Sequence, residues 1–159
     1  MSQQTRPKNS NGRVVATNRK ARHDYHIEET WEAGLVLTGS EIKSVRAGKV
    51  SLKGAYGTIR RGQVWLEGVN IAAYESGGYA NHDPVRSRKV LMHRSQIRRL
   101  IGSLERRGLT LVPLDMHISH GWAKVTLGLG RGKKLHDKRE DIKRRDAERE
   151  AARQMGRRR

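Results

Sequence analysis

The sequence predicts a mainly β body that closes into a small barrel, carries two or three short helices, and ends in a basic C-terminal tail that is disordered when free and helical when bound. Three observations predict it. Apolar residues alternate with polar ones in short segments across residues 14–130, the period of strands with one buried face. Gly-containing turns interrupt these segments at close spacing. From Gly130 the chain reads GRGKKLHDKREDIKRRDAEREAARQMGRRR, almost without apolar residues.

Residues 1–13 are polar, with scattered positive charge and no period that could bury a face, so a disordered arm is expected. Tyr25, Ile27, Leu35 and Leu37 alternate with polar neighbours on either side of Glu32-Ala33-Gly34, giving two strand segments broken at a bend. Ser40 is placed to cap a short helix with Ile42 and Val45 inward and Lys43 and Arg46 outward, ended by Gly48. Ala55, Gly57 and Ile59, then Val64, Leu66, Val69 and Ile71, flank the turn Arg61-Gly62 and predict a hairpin. Residues 76–84 hold too many breakers for regular structure and predict a long exposed loop. Ser95 is expected to cap a helix in which Ile97, Leu100, Ile101 and Leu104 recur at i, i+3, i+4 and i+7, stopped by Gly108.

Leu109, Leu111, Val112 and Leu114 open a strand, Ser119-His120-Gly121 turns the chain, and Ala123, Val125, Leu127 and Leu129 alternate inward. Lys124 is thereby placed on the face opposite the core. About six strands with two helices at their ends describe a closed barrel of the oligonucleotide-binding type better than a sandwich or a doubly wound sheet. The chain divides into an arm (1–13), the barrel (14–130) and the tail (131–159). In the tail, Glu140 with Arg144 and Asp141 with Arg145 stand at i,i+4 among helix-forming alanines, but the apolar stripe Ile142, Ala147, Ala151 and Met155 is too thin to offset the entropy of ordering.

Charge narrows the function. The chain carries 34 Lys/Arg against 16 Asp/Glu, a net of +18, of which the tail holds +7 and residues 1–130 hold +11. Such a body repels itself, and a polyanion neutralises it while releasing counterions, so RNA or DNA is the expected partner. No membrane is expected, because no apolar run approaches the roughly 20 residues that cross a bilayer and the N-terminus lacks a signal-peptide core. Zero cysteines exclude disulfides and thiolate metal sites and fit a reducing cytoplasm.

Enzyme motifs are wanting. Gly128 to Lys134 resembles a phosphate loop, but Leu127 occupies the position of the first Walker glycine, so the run is taken as a flexible hinge with lysines for a phosphate backbone. The HxxH pairs His23/His26 and His117/His120 lack accompanying ligands, no GxSxG occurs, and no cofactor or metal is expected. With seven aromatics and no Phe, binding should lean on shape and phosphate contacts rather than base stacking. Three positions oppose their surroundings: Glu32 on a cationic body, Leu91 between charges, and Lys124 facing outward. Glu32 suits either an ion pair with a nearby Arg or acceptance from a base's amino or imino group.

The blocks Asn18 to Tyr25, Glu32-Ala33-Gly34, Glu41 to Lys49, Asp83 to Lys89, Gly108 to Leu114 and Gly132 to Arg139 resemble, in order, the signature of the small protein B family, the SsrA-binding proteins of bacteria. The likeness runs from about Asn18 to Ile142 and, with six ordered blocks, is specific. It implies a binding factor and not an enzyme: a barrel that grips the tRNA-like domain of transfer-messenger RNA and brings it to stalled ribosomes, with elongation factor Tu met only indirectly through the aminoacylated RNA. It also implies a tail that enters the vacant mRNA channel and decoding centre as a helix. By motif, Asn18, Tyr25, Glu32, Leu91 and Lys124 carry over to the RNA-gripping surface, and Gly132, His136, Asp137, Lys138 and Arg139 to the decoding-centre segment. The remaining candidate RNA contacts are Arg19, Lys20, His23, Lys43, Arg46, Lys49, Arg86, Arg88, Lys89, Lys133 and Lys134. Val90 and Met92 stand where the family commonly has leucines. A structural ribosomal protein with an rRNA-threading tail is the alternative, separable by its stoichiometry on all subunits.

Overall fold

A computed structural model describes residues 12–74, 81–133 and 135–157. Its elements in chain order are β1 (Arg13–Thr17), α1 (Arg19–Asp24), β2 (Tyr25–Leu35), α2 (Gly39–Arg46), β3 (Val50–Ser51), β4 (Tyr56–Arg60), β5 (Gln63–Glu67), β6 (Asn70–Ile71), β7 (Arg88–Leu91), α3 (Arg94–Arg107), β8 (Thr110–Ser119), β9 (Trp122–Gly132) and α4 (Leu135–Arg157). Residues 1–11, 75–80, 134, 158 and 159 lie outside that description, and with them most of the expected arm and exposed loop.

The longest alternating runs make the longest strands. β8 and β9 pair antiparallel across His120-Gly121, both at positive φ (51° and 79°), the geometry of a two-residue hairpin turn. β4 and β5 repeat the device at Arg61-Gly62 (51° and 70°). β2 runs along β9 and finishes against β7; β7 pairs with β5, β4 meets β8, and the β8–β9 pairing closes the ring. Inside it lie Leu66, Leu111, Met116, Leu127 and Leu129, fully buried, with Leu100 of α3 in the same core. β1 extends the sheet beyond β8, and β3 with β6 forms a separate two-stranded piece.

Several expectations change. β2 is one strand, not two, because β9 pairs with it from Tyr25 to Gly34; the one register shift in that pairing falls between Ile27 and Glu29, upstream of the expected bend. Ile71 leaves the β4–β5 hairpin to pair with Val50. Thr38 caps α2 instead of Ser40, exchanging hydrogen bonds with Glu41, while Ser40 Oγ lies 2.9 Å from His82 Nδ1. His93 rather than Ser95 is the N-cap of α3, and the Gln96 side chain accepts from its N–H at 3.1 Å. Gly48 (φ 75°) and Gly108 (φ 60°) end their helices in the left-handed region, as expected.

α1 is an addition that periodicity missed, since a single apolar residue carries it. Ala21 sits on Val112 and Leu114, which face outward from β8, so this six-residue helix covers the second side of a strand that would otherwise expose leucine. Asn18 caps it, accepting from Ala21 N–H at 3.1 Å.

The glycine run before the tail is strand rather than hinge. Gly130 and Gly132 pair with Ile27 and Tyr25. A Cβ on Gly130 would stand 2.8 Å from the His26 carbonyl oxygen and 3.0 Å from Ile27 Cδ1. Backbone cannot swing aside, so Gly130→Ala is expected to cost about 1–3 kcal/mol, the usual range for overpacking. A shift in the urea midpoint measures it; an unchanged midpoint would show that β2 and β9 have room to separate there.

Candidate nucleic-acid interface

Gly34 is paired on one side with Lys124 of β9 and on the other with Leu91 of β7. Three strand ends therefore meet, and they open a cleft lined by Glu32, Lys89, Leu91, His93, Gln96 and Lys124. The three residues that stand out against their sequence neighbours thus share one surface. Outward alternation along β2 presents Glu32, and Lys124 Nζ donates to its Oε1 at 3.1 Å. His117 Nε2 lies 3.4 Å from the other oxygen, Oε2. Burial pushes the Glu32 carboxyl up, but the Lys124 ammonium and His117 outweigh it and hold it below the usual carboxylate range. Its partner is therefore a lysine and a histidine rather than the expected arginine. Leu91 is 54% exposed and lies on the surface rather than in the core.

Chemically, the cleft offers a carboxylate with lone pairs to spare, an exposed apolar side chain and two lysines. That set can accept from a base edge, cover a sugar or base face, and neutralise phosphate. Arg19 and Lys20 are exposed on α1 beside a shallow groove shared with Lys53, and Tyr25 is half-buried under the same helix. His23 Nδ1 lies 2.9 Å from Asp24 Oδ1. On the α2 side Lys43 reaches over the Tyr74 ring at 5.3 Å, and Arg46 and Lys49 are exposed.

Four expected RNA contacts are turned into the protein or withdrawn from view. Arg88 has no exposure at all: it donates to Glu41 Oε2 at 2.5 Å, Val69 O at 2.6 Å and Pro84 O at 3.0 Å. Asn18, 5% exposed, donates to Leu52 O and Pro113 O and ties α1 to the sheet. Lys133 is spent on Asp141, its side chain 7% exposed. Arg86 pairs with the buried Glu41 from a half-exposed position. A cation in a basic block has no mark that separates solvent-facing from buried, and only the fold decides. Lys134 lies outside the described residues.

In the tail segment, Gly132 ends β9, His136 and Asp137 stand in the first turn of α4, Lys138 Nζ is 3.2 Å from Asp24 Oδ1, and Arg139 is exposed. α4 runs as a helix from Leu135 to Arg157. Its root is tied to the body: Lys138 to Asp24 joins it to the end of α1, and Lys133 to Asp141 joins it to the segment that follows β9. Beyond that root Ile142 (45%) and Met155 (77%) are open to solvent.

Residues that sequence reasoning missed lie beside Glu32. Asp115 Oδ1 lies 2.9 Å from His117 Nδ1 and accepts from Thr126 Oγ1 at 2.9 Å. A signal existed, since counting back from the His120-Gly121 turn sets His117 opposite Lys124.

A closed ring of antiparallel strands, a cleft mixing carboxylate, leucine and lysine, and a basic helix define a cationic β-ring protein with a surface fitted to a polyanion. The chain belongs to the SmpB protein family, whose model matches residues 15–157. It is 63% identical over 138 residues to the SsrA-binding protein of Roseiflexus castenholzii (86% of this chain, 87% of the relative). To that of Bacillus subtilis it is 55% identical over 147 residues (92% and 94%). Among solved structures, a chain from "tmRNA-SmpB: a journey to the center of the bacterial ribosome" superposes with a TM-score of 0.65 at 54% identity, covering 77% of this chain and 85% of that one.

Proposed function

We propose that this protein binds the tRNA-like domain of transfer-messenger RNA and delivers it to stalled ribosomes for trans-translation, its tail occupying the empty mRNA channel and decoding centre. It acts as a binding factor in the cytoplasm rather than as an enzyme, and elongation factor Tu meets it only through the aminoacylated RNA. The body is a barrel of the oligonucleotide-binding type, and the distal part of α4 is ordered fully only inside the ribosome. The observation that carries the proposal is the convergence of Glu32, Leu91 and Lys124, far apart in sequence, on one outward cleft. Relatives described as SsrA-binding proteins and a solved neighbour described as tmRNA-SmpB support that RNA as the ligand. No observation favours the structural ribosomal alternative.

Two substitutions test the cleft. Glu32→Ala should cost specificity for the tRNA-like domain, on the order of 1–3 kcal/mol, and barely alter the salt dependence, because a carboxylate reads a base edge. Lys124→Ala should lower affinity and flatten the slope of log K against log salt by about one unit, because a lysine on phosphate releases a counterion. Filter binding at several salt concentrations, with an unrelated tRNA as competitor, measures both. Identical slopes for the two variants, or no discrimination by the wild type, would reject the proposal.

A further inference from the structure

The outer face of β8, β9 and β2 carries a continuous polar array that the proposed RNA contact does not by itself require. Register sets His117 opposite Lys124, and sets Asp115 and Glu32 opposite Thr126 from either side. His117 stands between two carboxylates, its Nδ1 2.9 Å from Asp115 Oδ1 and its Nε2 3.4 Å from Glu32 Oε2. Its side chain is 12% exposed, against 33% for Lys124, so the ring is the more enclosed of the two. From the remaining neighbour, β1 sets Val14 opposite the ring, with Gly12 beside it. Among the described residues, the charged groups facing His117 are therefore Asp115, Glu32 and Lys124.

A carboxylate oxygen only accepts, so both contacts are attractive only when both ring nitrogens carry hydrogen. A neutral ring satisfies one and turns a lone pair toward the other. Asp115, which also takes the Thr126 hydroxyl, keeps its nitrogen protonated, and the lone pair then faces Glu32. Lys124 cannot replace this hold, because it touches only Oε1 and is itself a point charge that phosphate can draw away.

We infer that His117, braced by Asp115, is a positioning residue for Glu32: its imidazolium form holds the Glu32 carboxylate in the orientation that reads RNA, which couples RNA affinity to protonation of this one ring. The inference rests on the proposed role of Glu32 in binding the tRNA-like domain. Binding strengthens when the ring carries its second proton and weakens when it does not, because Glu32 is then released.

The test is the dissociation constant of the full chain for the tRNA-like domain at fixed salt, from about pH 5.5 to 8, for the wild type, His117→Gln, Asp115→Asn, Glu32→Gln and the Glu32→Gln/His117→Gln double variant. The other histidines are common to all five chains, so the differences between profiles are what is read. Wild-type affinity should rise about five- to tenfold more than that of His117→Gln between the two ends, the scale of one ordinary intramolecular hydrogen bond. Asp115→Asn, which leaves the ring in place, should lose part of that rise. In the Glu32→Gln background, removing His117 should leave the profile unchanged. Superimposable wild-type and His117→Gln profiles would overturn the inference, and so would an equal loss in the Glu32→Gln background, which would put His117 on phosphate directly. A wild type that prefers the tRNA-like domain over an unrelated tRNA but has a flat profile refutes this inference alone; one with no preference at any pH refutes the function beneath it.

Discussion

Glu41→Ala is expected to destabilise the fold by about 3–5 kcal/mol, the cost of breaking a buried ion pair from one side. Glu41 and Arg88 are both without exposure, and the carboxylate also takes Arg86 and the Thr38 N–H. Removing it leaves the Arg88 guanidinium in the interior with carbonyls alone. Replacing Glu41 and Arg88 together by Met should cost much less, because no charge is then stranded. Burial raises the Glu41 carboxyl, but hydrogen bonds from Arg86, Thr38 and Arg88 bring it below its ordinary value. Its folded form therefore binds the proton less readily than its unfolded form, so its stabilisation is complete above the ordinary carboxylate value near 4.3 and is lost as pH falls below it. Urea midpoints across that window, compared between wild type and variant, measure both effects. A variant within about 1 kcal/mol of wild type would mean that water reaches Arg88. The network also bears on the cleft, since Arg88 opens β7 and Leu91 closes it.

What could be read in the sequence tracks how each residue earns its place. The Arg61-Gly62 and His120-Gly121 turns, the Gly48 and Gly108 stops and the α3 stripe are local, and local chemistry announced them. α1 and β7 escaped because one is held by Ala21 alone and the other alternates a buried arginine with Val90, so neither shows an apolar period. Leu91 and Lys124 were recognisable as out of place, yet their meeting depends on Gly34 pairing two ways, which no local pattern contains. The tail shows the converse: its composition revealed helix, while the anchor that orders its root needs Asp24, more than a hundred residues away.

Replacing Asp137, Lys138 and Arg139 together by Ala should leave the dissociation constant for the tRNA-like domain nearly unchanged and stop peptide transfer onto the aminoacylated RNA. These residues open a helix of 23 residues, about 34 Å long at 1.5 Å per residue, long enough to thread a channel. The triple variant keeps the Lys133–Asp141 pair at the root of that helix and loses only Lys138 to Asp24. Lys138 and Asp24 are 30% and 24% exposed, and a pair so open contributes about 0–1 kcal/mol. Breaking it should neither unfold the ring nor reach the Glu32 cleft. A helix docked by ion pairs can exchange those partners for rRNA phosphates, which Lys138 and Arg139 would meet while His136 stacks on an unpaired base. The companion truncation belongs after Lys133 and not after Gly130, because Arg131 and Gly132 pair with His26 and Tyr25, and the Lys133 N–H donates to Asp24 O at 2.7 Å. It should keep RNA binding and lose tagging of stalled chains. A triple variant that failed equally in RNA binding would place the cluster on the ring's own RNA surface, and a truncated protein that tagged at the normal rate would remove the tail from decoding altogether.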